Sequence, residues 1–503
     1  MPGIEYLLGA LTPFNVLLAV GGIVAGTIIG ALPGLTATMA VAVLVPFTFG
    51  MPPSSALIAL GAIYTGAIYG GADSAVLLNT PGTPSAIATT FDGYPMARRG
   101  DGDLAITLAY LASVIGGLVG AAFLLLLAPP LADVALKFGP VEYFWLAIFG
   151  LTLIASLSEG SLLRGLIGGC VGLMLGTIGV AEVGGDIRYV GDFQGLLGGL
   201  DVIAALIGLY CIPVLIDLVA TPDPHLKLTH QVAGFRFKEA MRISWASRLN
   251  IARSSVIGTV VGILPGAGGS IASLVSYSEA KRLAKPHQKF GQGEPDGILA
   301  TESSNNATVG GGFIPTLVLG IPGTPPDAVI LGALLVQGIR TGPQLFNEQS
   351  EIVYTFIYGL FLATVLMLPI GLVIGRYAFK SIVSIPKAVL VPSVAFLTII
   401  GSYSVHNNVH EVQQMVALGI FGWLAGRAGF TASPIVLGII LGTIAESGFV
   451  RGYLIGNARG EPVAEFFTRP ISIAIVAFIA LGLAYPYITS RRRAKSTKGP
   501  TDE

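Results

Sequence analysis

The chain has 503 residues, 53% of them hydrophobic and only 11% charged, whereas a soluble domain carries roughly a quarter charged residues. A water-soluble fold is therefore excluded and a membrane-embedded one expected. Its 28 Lys and Arg balance 28 Asp and Glu, which leaves neither a basic surface for nucleic acid nor an acidic disordered tail, so no nucleic-acid partner is expected.

Residues Met1 to Phe14 carry one charge, Glu5, and lack the basic flank and cleavage site of a secretory signal, so the first apolar segment is expected to be retained. No charge stands between Glu5 and Asp73, a run far longer than the roughly 20 residues of one crossing, so several elements share it. Within it, residues 26–34 read GTIIGALPG, and Leu32-Pro33-Gly34 interrupts an otherwise apolar helix. Residues 70–99 follow, with Asp73, Ser74, the run Asn79-Thr80-Pro81-Gly82-Thr83-Pro84 and the basic pair Arg98 and Arg99. Apolar segments continue at 104–132, 143–157, 166–181 and 202–216.

A basic linker over 221–253 includes Lys227, Arg236, Lys238, Arg242, Arg248 and Arg253 beside Trp245. It reads either as an amphipathic helix on the cytoplasmic surface or as a solvated connector. Residues 258–270 then repeat the first motif as GTVVGILPG followed by Gly268, Gly269 and Ser270. Residues 302–343 hold Glu302, Ser303, Asn305, Asn306 and a second Pro322-Gly323-Thr324-Pro325. Apolar segments at 352–375, 388–405, 412–426, 428–445 and 470–490 complete the chain before a basic cytoplasmic tail at 491–503.

The predicted fold is an all-α polytopic membrane protein with about 10 to 12 membrane elements. It contains an internal repeat and two broken-helix or re-entrant regions, consistent with 68 Gly and 31 Pro. The halves are expected at 1–220 and 254–490. Because only the second follows a basic linker, the repeats are expected to be inverted.

Paired Gly/Pro-interrupted apolar segments point to a transporter's midplane binding site. In Pro-Gly-Thr-Pro, Thr83 and Thr324 suit an N-cap and Pro84 and Pro325 the first helical position, so each tip presents free N–H groups and a positive dipole end to a carboxylate. Asn79, Thr80, Pro81, Gly82, Thr83, Asn305, Asn306, Pro322, Gly323 and Thr324 are the expected substrate-binding residues. At the breaks, proline frees a carbonyl one turn earlier that can hold a cation. Pro33, Gly34, Thr36, Asp73, Ser74, Pro265, Gly266, Gly268 and Glu302 are accordingly the candidates for coupling Na+ or H+. Packing kinks and acids at a water interface are the competing readings.

Asp327 reads as a helix cap outside the site. Cys170 and Cys211 lack partners at metal or disulfide spacing and are expected in the core; His406 and His410 have helical spacing but no third ligand. No cofactor or resident metal is expected, and no nucleophile with a base, nor any phosphate-cradling loop, points to an enzyme.

The stretches from Gly30, Tyr64, Val261 and Glu302, together with Gly-Pro-Gln-Leu-Phe from Gly342, resemble the large membrane subunit of the tripartite tricarboxylate transporter family over nearly the whole chain. The resemblance implies a multi-pass protein of the bacterial inner membrane. It also implies a small membrane subunit of about four helices, a periplasmic solute-binding protein and symport of a tricarboxylate or related organic acid. It further highlights Asp92 and Gly93. Alternating access, as an elevator, is the expected mechanism; a passive carboxylate channel is the alternative, and an intramembrane enzyme a more remote one. Pro326-Asp327 stands where the first half has Ser85-Ala86, so the two tips are expected to differ chemically.

Overall fold

The computed structural model describes residues 3–157, 161–221 and 234–496, the side chains of 156, 157 and 484–496 excepted. The start of the predicted linker, with Lys227, lies outside them, as do the basic side chains of the predicted tail.

Proline and threonine set the first boundaries. After α1 (Ile4–Ala10), α2 (Pro13–Ala31) opens with proline at its first position and Thr12 as cap. It ends before Pro33, and α3 (Ala37–Leu44) restarts behind Thr36, whose hydroxyl accepts from the Met39 N–H at 3.1 Å. α4 (Pro53–Leu78) is followed by the first tip, a single tight turn at Pro84–Ala86, α5 (Ile87–Arg98) and α6 (Gly102–Ala135). Next come α7 (Pro140–Leu157), α8 (Leu162–Gly176), α9 (Val202–Ala220) and α10 (Phe237–Ala246).

The second copy of the motifs occupies α11 (Arg248–Ile263), α12 (Gly268–Arg282), α13 (Pro295–Leu319) and α14 (Pro325–Val336). Beyond it lie α15 (Pro343–Glu348), α16 (Ser350–Val373), α17 (Phe379–Val383), α18 (Lys387–Ser404) and α19 (Val409–Arg427). The chain closes with α20 (Ala432–Ala458), α21 (Glu465–Thr468) and α22 (Pro470–Ser496). Among the described residues the strands are two dipeptides, Gly179–Val180 and Ile187–Arg188, paired antiparallel.

Seven helical spans among the described residues are long and apolar enough to cross a bilayer: α2, α4, α6, α9, α18, α20 and the continuous stretch Ser350–Val383. Five shorter apolar stretches accompany them. The chain is thus an all-α multi-pass membrane protein. α10 is amphipathic as expected: Ala240 and Ser244 are buried while Met241 and Trp245 are exposed. Outside the spans, Arg236 pairs with Asp101 at 2.7 Å and with Glu239, and these hydrogen bonds hold its guanidinium pKa above the ordinary value.

Two compact units form, Met1–Leu136 with Ile203–Trp423, and Lys137–Val202 with Leu424–Glu503. Each draws on both sequence halves, so the units are composed differently from the repeats. In the first unit α2 packs on α4 and α11 on α13 within each repeat, while α6 packs on α13 and α16 on α4 across them. Small residues permit the cross-repeat contact: a methyl at Gly116 would strike the Ser303 backbone, and one at Gly120 that of Ala307. The exchange of partners is what a two-fold relation between repeats produces.

In the second unit α20 packs on α7 and α8, and α22 on α7. Cys170 corrects an expectation, because it is exposed whereas Cys211 is buried. The buried face of α8 is the stripe Gly165, Gly168, Gly169 and Gly172, which approaches α7 at Gly165 and α20 at Gly172 so closely that Cys170 is turned outward. Buried Glu142 accepts from the Gly139 N–H at 2.8 Å and from Ser472 at 3.0 Å, and pairs with Arg469 at 2.9 Å.

Candidate transport site

Both Leu-Pro-Gly sequences break their helices as expected, at Leu32 and Leu264. The carbonyls one turn before the prolines are nevertheless taken: Ile29 accepts from the Leu32 N–H and Val261 from the Leu264 N–H, both at 3.1 Å. An i to i+3 bond tightens the last turn and satisfies the orphan. Ser74 donates to the Ala31 carbonyl, and the Gly266 N–H donates to Gly323 at 2.8 Å. Each of these four carbonyls thus accepts one hydrogen bond and keeps one lone pair. Thr36 is engaged as a cap, and Gly268, at φ +61°, permits the turn into α12.

The tips are alike in backbone. α4 ends in left-handed Asn79 and α13 in left-handed Gly320. Gly82 lies against the Gly30 carbonyl and Gly71, and Gly323 against the Gly262 carbonyl and Gly312, so that a side chain fits at neither. Pro81 and Pro322 hold the preceding turn. Asn79, exposed and terminating a helix where the other repeat has glycine, serves the turn; Thr80 bonds back to the Leu78 carbonyl at 3.4 Å. Neither side chain joins the buried cluster that gathers the other expected residues.

That cluster forms where the first tip meets the second repeat. Thr83 and Ser85 share a hydrogen bond at 3.0 Å, and Ser273 of α12 donates to the Ser85 carbonyl at 2.9 Å. Thr83 does not cap with its side chain, contrary to expectation, because its hydroxyl is turned to Ser85. A methyl at Gly269 would touch both the Asn305 amide oxygen, at 2.5 Å, and Ser85, at 3.0 Å. Asn305 is 0% exposed, yet both its amide nitrogen and its oxygen lack a partner, as does the amide oxygen of Asn306. Buried amides left unpaired cost about 1–3 kcal/mol each, and the small residues around Asn305 leave donors and an acceptor converging on one place.

The second tip meets the first repeat. Thr324 caps α14, accepting from the Asp327 N–H at 3.5 Å and donating to Asp327 Oδ2 at 2.5 Å. With that proton committed, Tyr64 of α4 donates to Thr324 at 2.9 Å. The register that sets Gly70 on Gly311 sets Tyr64 on Asn305 and Ala86 on Asp327.

The same register sets Ile314, not Glu302, opposite Asp73, so the two acids are not repeat equivalents as the sequence suggested. Both are nevertheless bonded from one turn of α6. Tyr110 of α6 donates to Asp73 at 2.7 Å, and Ser113, one turn on, donates to Glu302 at 3.1 Å. Thr89 of α5 donates to the other Glu302 oxygen. Both carboxyls are buried, no Lys or Arg pairs with either among the described residues, and one Asp73 oxygen lacks a partner. Below them Asp92 accepts from the Gly291, Gly293 and Glu294 N–H groups, each at 2.8 Å, and from Tyr277 at 3.0 Å. Arg99 donates to the Gln292 and Gly293 carbonyls at 2.8 Å, so the loop before α13 is clamped to the first repeat.

Sequence reading missed Tyr64, Ser85, Thr89, Tyr110, Ser113 and Ser273. Their one signal is a hydroxyl in a buried small-residue helix. His406 and His410 face different partners, Glu411 at 2.8 Å and Gln413 at 3.0 Å.

Residues 16–437 match the model of the tripartite tricarboxylate transporter TctA family. The chain is 36% identical over 491 residues to an uncharacterized 52.8 kDa protein in the TAR-I ttuC' 3' region of Agrobacterium vitis, covering 96% of each. It is 35% identical over 242 residues to an uncharacterized protein in the TAR-II ttuC' 3' region of the same organism, covering 47% of this chain and 97% of the relative. No solved structure matches.

Proposed function

The chain belongs to the tripartite tricarboxylate transporter TctA family, and from that premise we propose that it is the large membrane subunit of a carboxylate symporter in the bacterial inner membrane. The substrate is a tricarboxylate or related organic acid. A small membrane subunit and a periplasmic binding protein that delivers the acid complete the system.

One observation carries the binding site: the fully buried Asn305 amide, unpartnered at both atoms, beside Thr83, Ser85 and Gly269. A carboxylate takes up the amide N–H and the hydroxyl donors there without a buried arginine. Asp73 of α4 and Glu302 of α13, buried without counter-charge and bonded from one turn of α6, supply the coupling to Na+ or H+. The repeats enter the membrane from opposite sides, and both tips move together as the first unit alternates access. Asp92 and Arg99 support this by tying the α12–α13 loop to α5.

Uptake of labelled citrate and other carboxylates into proteoliposomes holding all subunits tests the proposal. Accumulation driven by a Na+ or pH gradient, and loss of substrate affinity in Asn305→Ala, are expected. Equilibration indifferent to both gradients would instead identify a passive channel.

A further inference from the structure

The second tip carries a charge that substrate binding does not use. Asp327 is 0% exposed; one of its oxygens, Oδ2, accepts from Thr324 at 2.5 Å, while Oδ1 is buried with no partner. Capping of α14 explains the first oxygen and leaves the second unexplained. A buried carboxylate oxygen without a hydrogen bond or counter-charge is costly, and such groups are paired or coordinate metals. No Lys, Arg or His pairs with Asp327 among the described residues.

The repeat sharpens the point. At the equivalent place the first tip has Ala86, and facing it Asn305 rather than Tyr64. One pocket is therefore neutral and rich in donors, and the other holds a buried carboxyl group, with a hydroxyl chain from Tyr64 through Thr324 ending on its Oδ2 and leaving Oδ1 open. Once ionised, Asp327 repels a carboxylate substrate by like charge. Hard oxygen ligands of this kind suit an alkali or alkaline-earth cation, and a single carboxylate balances one positive charge.

We propose that the second tip is a monovalent cation site of the Na+ type, in which Asp327 Oδ1 supplies the charge and Tyr64, which donates to Thr324 and keeps its own lone pairs, supplies a hydroxyl oxygen, with Thr324 holding both groups in place. The inference takes the first tip as the carboxylate site. It adds a cation beside the pseudo-symmetric pocket, separate from Asp73 of α4 and Glu302 of α13.

Binding of 22Na+ to the full chain, co-purified with its membrane partner in nanodiscs and free of carboxylate, tests it directly. The unaltered protein is expected to show saturable binding that cold Na+ displaces. Asp327→Asn is expected to lose one ion per chain or to bind it at least about tenfold more weakly, and Tyr64→Phe to weaken it about threefold. Should Asp327→Asn fail to insert, Tyr64→Phe and Thr324→Ala carry the measurement. No saturable binding in the unaltered chain, or the same Na+ stoichiometry and affinity in every variant, overturns the proposal. Asn305→Ala separates the two readings, because it is expected to keep Na+ binding while losing carboxylate affinity. Retained carboxylate affinity there counts against the first-tip site alone.

Discussion

Glu142 in the second unit and Glu302 in the first are both buried glutamates held by serine hydroxyls, but their surroundings differ. Glu142 has Arg469 at 2.9 Å and a backbone N–H at 2.8 Å, so its charge is compensated within the protein. Glu302 has only the hydroxyls of Thr89 and Ser113, and Asp73 and Asp327 each keep an unpartnered oxygen. Paired acids hold a fold together; acids left unpaired in an apolar interior are kept despite their desolvation, which is the mark of a site that receives a cation or proton. Asp73, Glu302 and Asp327 of the first unit thus differ from Glu142 in lacking a cationic partner among the described residues.

The contrast breaks if Glu302 proves to be structural. Glu302→Gln keeps the shape and the hydroxyl contacts, and gradient-driven uptake in proteoliposomes is expected to fall about a hundredfold, equivalent to ~2.7 kcal/mol, with membrane insertion unchanged. Normal uptake would remove the acid pair from the coupling mechanism. Asn305→Ala comes next: calorimetric carboxylate affinity is expected to drop about tenfold, or ~1.4 kcal/mol, and an unaltered affinity would move the substrate elsewhere.

Ser273→Ala removes the donor to the Ser85 carbonyl and loosens the first tip. An increase of about threefold in the half-saturating substrate concentration is expected, ~0.6 kcal/mol, and no change would show that the tip is held by backbone alone. Glu142→Gln should leave uptake per folded molecule unchanged and lower stability in detergent by ~1–2 kcal/mol, a value discounted because Arg469 is partly exposed. Loss of uptake in fully folded Glu142→Gln protein would erase the distinction between the units.

Much of the architecture was legible in the amino-acid sequence, because it rests on local chemistry. Pro33 and Pro265 cannot continue a helix, Thr36 and Thr324 cap the next one, and charge-free runs longer than a bilayer is thick mark the spans. The paired motifs exposed the repeat, and with it both tips. Asn79 stands where the other repeat has Gly320, with the same left-handed backbone, a turn requirement that its place among the polar residues of the tip did not announce.

Tertiary structure alone decided which polar groups meet. Asp73 and Glu302 are 229 positions apart and unrelated by the repeat, and both are bonded from one turn of α6, which Gly116 and Gly120 let press against α13. Asn305 gains its place beside Ser85 through Gly269, and Asp327 shows a free oxygen only once Thr324 has claimed the other. Local propensity acts over a turn or two of chain, whereas a binding pocket depends on which helix faces lie close enough in the packed protein for a hydrogen bond to form or be withheld.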